Sequence, residues 1–140
     1  METEIVRAGP AQEGLLDRVA ADVFDEPIDQ RRLGAYLAQP GHLMVLAVSG
    51  GEVVGQARGI IHRHPDLPTE LYIDNLGVTP ARQRQHIASR LLDELVAWAI
   101  SLGCEEAWVG TEVDNEAARA LYERRGSEGE TFVLYFYAFD

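Results

Sequence analysis

A chain of 140 residues fits one domain and is long enough to bury a core. Twelve Lys and Arg against 23 Asp and Glu give a formal net charge of −11, which argues against general nucleic-acid binding and leaves a cationic partner or plain solubility as its meaning. Cys104 is the only cysteine, in keeping with a reducing cytoplasm, "METEIVRAGP" lacks a signal peptide's layout, and the longest nearly uncharged run, "TFVLYFYAF", is far too short to span a bilayer.

"TEIVRAG" reads as a first strand ending at a turn. From Pro10 to Val23, Leu15, Leu16, Val19, Ala20 and Val23 recur at helical spacing, with Pro10 suited to a helix start. "FDEPID" breaks that helix, and "QRRLGAYLAQ" predicts a second, short one. "HLMVLAV" and "VVGQARGIIH", joined by the tight turn "SGGE", form a hairpin. After the loop "RHPDLP", "ELYIDNLGV" is the next strand. Thr79-Pro80 ends it, and a long helix follows whose apolar stripe is Ile87, Leu91, Leu92, Leu95, Val96, Ala99 and Leu102. Gly103 closes that helix. "CEEAWVGTEV" is a strand, "DNEAARALYERRG" a helix capped by Asp114 or Asn115, and "TFVLYFYAF" a last strand. No linker separates two domains, so residues 1–140 are expected to form a single α/β domain, a mixed sheet with helices on its faces.

The strand, turn and helix start between Leu71 and Ala88 form a candidate anion site. The first N–H groups of a helix lack intrahelical partners and carry partial positive charge. Arg82 and Arg84 add side-chain charge. By itself this pattern also fits an ordinary solvated helix start. Glu112, at the end of the following strand, and Tyr122, on the next helix, would lie near the carboxyl ends of two parallel strands, where open α/β sheets bind ligands. Tyr122 also fits a plain core tyrosine beside Ala118 and Leu121.

"VTPARQRQHIASRLL" and "DNEAARALYERRG" together resemble the two motifs of GNAT-type N-acetyltransferases. In the first, Q/R-x-x-G-x-G/A opens a helix after a strand; the second is an Asn followed by a helix carrying A-x-x-L-Y-x-x-x-G. The order of elements is similar over essentially the whole chain, and "ELYIDNLGV" with "TEVDNEAARALY" looks most like the small aminoglycoside 3-N-acetyltransferases. The resemblance implies a mostly antiparallel sheet with a splayed central parallel pair and helices on both faces. It implies acetyl-CoA as acyl donor. Leu76, Gly77 and Val78 would pair with the pantetheine arm, and an N–H among them would polarise the thioester carbonyl. The N–H groups of Gln83, Arg84, Gln85, His86, Ile87 and Ala88, with Ser89 beside them, would hold the pyrophosphate, Arg84 helping with charge. Asn115 and Ala118 would line the cofactor's other side, with Tyr122 both contacting it and serving as general acid.

The implied reaction is direct attack of a neutral amine on the thioester, with Asp74 or Glu112 as base, directly or through water. For the proton that Tyr122 gives the leaving thiolate, positioning matters more than acidity. Asp74 equally fits a β-bulge or a solvent-facing strand position, and Glu112 a surface carboxylate. Asp25 belongs to an acidic cluster with Asp22, Glu26 and Asp29 that would wall the acceptor site, and Asp25, Asp74 and Glu112 would touch the acceptor. The expected acceptor is a small cationic amine, aminoglycosides included. A peptide or protein amine is the alternative, and a non-catalytic acyl-CoA sensor is the alternative of another class.

Two residues depart from the family pattern. Ser127 follows Gly126 where an aromatic is usual, and His86 stands in place of the first motif glycine. A residue entering a right-handed helix is expected to have negative φ, so only crowding of the phosphate by the imidazole would matter. His62 and His64 alternate in "HRHPD" without a third ligand, so no metal site is expected there. "TFVLYFYAF" is apolar on both alternating faces, which predicts burial of both and a homodimer in which a partner covers one of them.

Overall fold

The computed structural model describes residues 2–139. Five strands form one sheet in the order β1-β2-β3-β4-β5: β1 Thr3–Ala8, β2 His42–Ser49, β3 Glu52–His62, β4 Glu70–Val78 and β5 Glu106–Val109. All neighbours are antiparallel except β4 and β5, which are parallel. The helices are α1 Gln30–Leu37, α2 Ile87–Ser101 and α3 Glu116–Arg124, with 3-10 helices at Pro10–Asp17 and Pro80–Arg82. This is the expected mixed, mostly antiparallel sheet with one parallel pair, but among the described residues that pair lies at the sheet's edge rather than at its centre, because no strand pairs beyond β5.

Each face of the sheet is covered for a reason written in the sequence. On one, Ile87, Leu91, Leu92, Leu95 and Ala99 of α2 are buried, and β3 meets them with glycines. A Cβ on Gly59 would lie 2.7 Å from Leu71 Cδ1 and 3.1 Å from Leu95 Cδ1, so the bare glycine leaves room for the ends of these two side chains under α2. On the other face Leu16, Val23 and Leu33 pack with Met44, Leu46, Val48 and Val53. Burying Leu, Ile and Val side chains of this kind stabilises a fold by about 1.5–3 kcal/mol each, before the entropy cost of ordering them.

The first predicted helix is shorter than its spacing suggests. It is a 3-10 helix that stops at Asp17. The chain beyond it pairs with the sheet instead: Val53 N–H donates to Arg18 O and Ala20 N–H to Val53 O, both at 2.9 Å. Tertiary pairing has overridden a helical period. The fifth strand also ends early, at Val109 rather than Val113.

Contacts along the chain divide it into a larger unit ending at Val109 and a smaller one beginning at Gly110. The smaller contains α3. Its C-terminal run, predicted as a doubly buried strand, carries no regular structure, and Phe132, Val133, Leu134, Tyr135, Phe136, Tyr137 and Phe139 are exposed. A strand needs a hydrogen-bonded neighbour, and no ladder among the described residues reaches this segment.

Candidate active site

β4 carries two local irregularities. In its ladder with β3, Arg58 pairs with Asn75 and the next residue, Gly59, with Ile73. Asp74 is the extra residue of a β-bulge, a device that re-aims a side chain. Its Oδ2 lies 3.5 Å from Arg58 Nε, both side chains being partly exposed. The second irregularity is on the other edge. Pairing with β5 ends at Ile73–Val109, and β4 runs on alone to Val78. The backbone of Leu76, Gly77 and Val78 is paired on its β3 side only, to Ala57, Gln56 and Gly55. A bare strand edge of this kind can accept an extended segment as an added strand.

The segment before α1 folds against β4 at the same level. Gln56, fully buried, donates through Nε2 to Val23 O at 3.1 Å and to Asn75 Oδ1 at 2.6 Å. Asn75 Nδ2 in turn donates to Asp25 Oδ2 at 3.5 Å. Val23 O comes so close to β4 that a Cβ on Gly77 would be 2.2 Å from it. Gly77 is therefore required for close backbone approach.

Asp25, Glu26, Asp29, Tyr36, Arg58 and their neighbours line a cleft of about 370 Å³. Asp25, Glu26 and Asp29 thus put three carboxylates in the lining of one cleft. Burial pushes the Tyr36 phenol up to about 12, against the opposing charge of Arg58, and its hydroxyl is buried without a hydrogen-bond partner.

The turn after β4 departs most from expectation. His86 has φ +61° and Arg84 φ +66°. The expectation of negative φ at His86 was wrong: it precedes the first helical residue and sits in the left-handed region. For a non-glycine residue this costs about 1–2 kcal/mol. Glycine would suit this position for its backbone as well as for its size. Left-handed residues alternating along a turn aim successive N–H groups inward, the geometry of an anion nest. Arg84, Gln85 and His86 are exposed, and Ile87 is buried.

Gln83 must be withdrawn from the expected phosphate donors. Its N–H donates to Pro80 O at 3.3 Å and its Nε2 to Val78 O at 3.2 Å, so it braces the turn. Arg82 is also structural, reaching Ser49 Oγ at 2.5 Å and Thr3 Oγ1 at 3.4 Å. The first helical bond shown from this end is Arg90 N–H to His86 O at 3.1 Å. Ile87, Ala88 and Ser89 lie in the first turn of α2.

The remaining predicted residues belong to the smaller unit. Glu112 is exposed and lies beyond the strand rather than at its end; its carbonyl accepts the Asn115 N–H at 3.0 Å. Asn115 caps α3, its Oδ1 accepting the Ala118 N–H at 3.1 Å. Tyr122 is partly buried, and burial raises its phenol above the ordinary value, opposed by Arg125. Ser127 closes α3 by donating its N–H to Tyr122 O at 3.1 Å and its Oγ at 2.5 Å, after Gly126 at φ +91°. A serine here caps a helix, which an aromatic could not do.

Residues 13–126 match the model of the acetyltransferase (GNAT) family. The chain belongs to that family. An N-alpha-acetyltransferase, RimI, of Mycobacterium tuberculosis (strain ATCC 25618 / H37Rv) is 36% identical over 104 residues, 74% of this chain and 63% of that protein. The chain thus spans less than two thirds of the curated relative's length. An aminoglycoside acetyltransferase from an uncultured soil metagenomic sample, crystallised with trehalose, superposes with TM-score 0.82 at 21% identity, over 98% of this chain and 95% of the other. AAC(6')-Iy in complex with a CoA bisubstrate analogue gives TM-score 0.81 at 15% identity over the whole of both chains. A protein described as a transcriptional regulator, from Bacillus halodurans C-125, gives 0.81 at 19%, over 98% of this chain and all of the other. At these identities the likeness concerns the fold. No described helix is long and apolar enough to cross a membrane.

Proposed function

We propose that the chain transfers the acetyl group of acetyl-CoA to a primary amine of a small cationic acceptor, aminoglycosides being the leading class. The observation that carries this reading is the acidic cleft. Asp25, Glu26 and Asp29 line it, and Arg58, also in its lining, stands beside the bulged Asp74. A wall of carboxylates concentrates a polycation and orients its amines.

In this reading the pantetheine arm lies along Leu76, Gly77 and Val78, and an N–H of that edge polarises the thioester carbonyl. The pyrophosphate sits on N–H groups from Arg84 to Ala88, and Asn115 and Ala118 are the further cofactor contacts that the family resemblance implies. Asp74 accepts the amine's proton, directly or through water, and Glu112 is the alternative base. The new N–C bond forms as the C–S bond breaks, and Tyr122 protonates the leaving thiolate. A phenol near 10 gives its proton to a thiolate near 8.5 uphill by about 2 kcal/mol. Burial that raises Tyr122 further makes it more uphill, so tight placement against the sulfur has to supply the advantage.

A panel of aminoglycosides, polyamines and peptides assayed with acetyl-CoA tests this reading. Turnover of small polycations that falls in Asp25→Asn and Glu26→Gln supports it. The second reading, a peptide α-amine acceptor, is favoured by the 36% identical N-alpha-acetyltransferase, and turnover of peptides alone would establish it. Acetyl-CoA binding with no turnover of any amine would instead make the chain a sensor. The exposed apolar run 132–139 supports a homodimer, which light scattering checks.

A further inference from the structure

His62 closes β3 and Glu70 opens β4, and the two are directly paired across the ladder. A cross-strand pair places both side chains on one face of the sheet. The connecting loop brings His64 to the same carboxylate. His64 Nε2 lies 3.1 Å and His62 Nδ1 3.2 Å from Glu70 Oε1. The two rings are 4.1 Å apart and tilted by 42°. One ligand atom from each residue lies within 4.8 Å of the other two. The sequence hid this third ligand, which lies beyond a turn and on the next strand.

These distances have a specific meaning. With metal–ligand bonds of about 2.0–2.1 Å, neighbouring ligand atoms of a tetrahedral zinc site stand about 3.3 Å apart. Both N···O separations are already near that value. His64 and Glu70 are largely shielded, with side chains 18% and 19% exposed, whereas His62 is 54% exposed. Solvent thus reaches one side of the cluster, where an ion can enter and water can complete its coordination. Two imidazoles and one carboxylate are a donor set suited to zinc.

We propose that His62, His64 and Glu70 form a binding site for a divalent transition-metal ion, zinc by donor type and geometry, with one coordination position left to water. The ion fastens the loop 63–69 to the start of β4. The site is separate from the donor edge of β4 and does not rest on the acetyltransferase reading.

The test uses the full chain, treated with chelator and dialysed, then titrated with Zn²⁺ by calorimetry and with Co²⁺ by visible absorption. One saturable Zn²⁺ per chain and d–d bands of low-symmetry Co²⁺ are expected. His62→Asn, at an exposed position, and Glu70→Gln should each raise the Zn²⁺ Kd by more than the ~10–100-fold that losing an outer-shell partner costs. His86→Asn should leave it unchanged. Absence of saturable binding by the unaltered chain, or binding that survives in both ligand variants, overturns the proposal and leaves Glu70 a hydrogen-bond acceptor for two imidazoles.

Discussion

At the start of α3 the Asn115 side chain accepts the Ala118 N–H, and at the start of α1 Asp29 does the same for Arg32 at 3.0 Å. At the start of α2 no side chain caps the helix, and His86 holds a left-handed conformation. Two helix starts have an N–H capped by the side chain of the N-cap residue, and at the third the N-cap residue gives none. In the proposed reading, the difference separates a structural N-terminus from a binding one. A capped start gains about 1 kcal/mol of stability. An open start forgoes that, and here it also carries the strain of a non-glycine residue at positive φ, a combination that makes sense where an anion completes the arrangement.

The largest expected effect comes from occupying the open start with the wrong charge. Ala88→Asp places a carboxylate in the first turn of α2, where it competes with pyrophosphate. Coenzyme A should bind about a hundredfold more weakly, about 2.7 kcal/mol, by calorimetry. The melting temperature should not fall, because a carboxylate favours a helix N-terminus. Unchanged affinity would mean that this helix start holds no phosphate. Next is His86→Gly, expected to change coenzyme A affinity by no more than about tenfold, or 1.4 kcal/mol. Release of left-handed strain and the greater chain entropy of glycine largely cancel in stability. A much larger gain in affinity would show that the imidazole obstructs the phosphate.

Removing the cap from the closed start is a smaller change. Asn115→Ala should cost α3 about 1 kcal/mol, read as faster hydrogen exchange of the Ala118 to Tyr122 amides, with Asn115→Asp retaining most of the protection. The smallest effect concerns another polar group without a partner. Tyr36→Phe deletes a buried, unpaired hydroxyl, so stability at neutral pH should move by less than about 0.5 kcal/mol. The Tyr36 phenol is raised from 10.0 to about 12, so the folded state holds its proton more tightly. The stabilisation this gives is fully present below pH 10 and lost as pH rises from 10 to about 12. Denaturant melts across that window should show a loss in the parent that the variant lacks.

The contrast also explains what the sequence disclosed. Features set by local chemistry were legible: the "SGGE" hairpin, the α2 stripe and the Asn115 cap all come from spacing or from one residue's side chain. Features set by distant partners were not. Residues 18–20 read as helix because their apolar spacing is helical, but Val53 supplies backbone partners that no local pattern announces. "TFVLYFYAF" has the composition of a buried strand, yet composition does not provide a neighbour. In the site, the bulge at Asp74 is the alternative that its polar position in the strand allowed, and Asp25 lines a cleft with Glu26 and Asp29. The dihedral of His86 did not follow from helix geometry, because that residue belongs to the turn rather than to the helix it introduces. Glu70 escaped notice because its relation to His62 exists only across the ladder.

The near-contact of Val23 O with Gly77 carries a consequence for how acceptor preference can change. The wall of the cleft is bolted to the donor strand at one point, by a missing side chain at Gly77 and by the Gln56 clamp. From Phe24 to Asp29 the same wall lines the cleft before α1 begins. Substitution or lengthening in that stretch can remodel what the cleft admits while the bolt keeps the β4 edge, the donor edge of the proposed function, in register. Any side chain at Gly77 would instead loosen both at once. A lineage of this chain could therefore drift among amine substrates through a handful of residues, as long as one glycine stays bare.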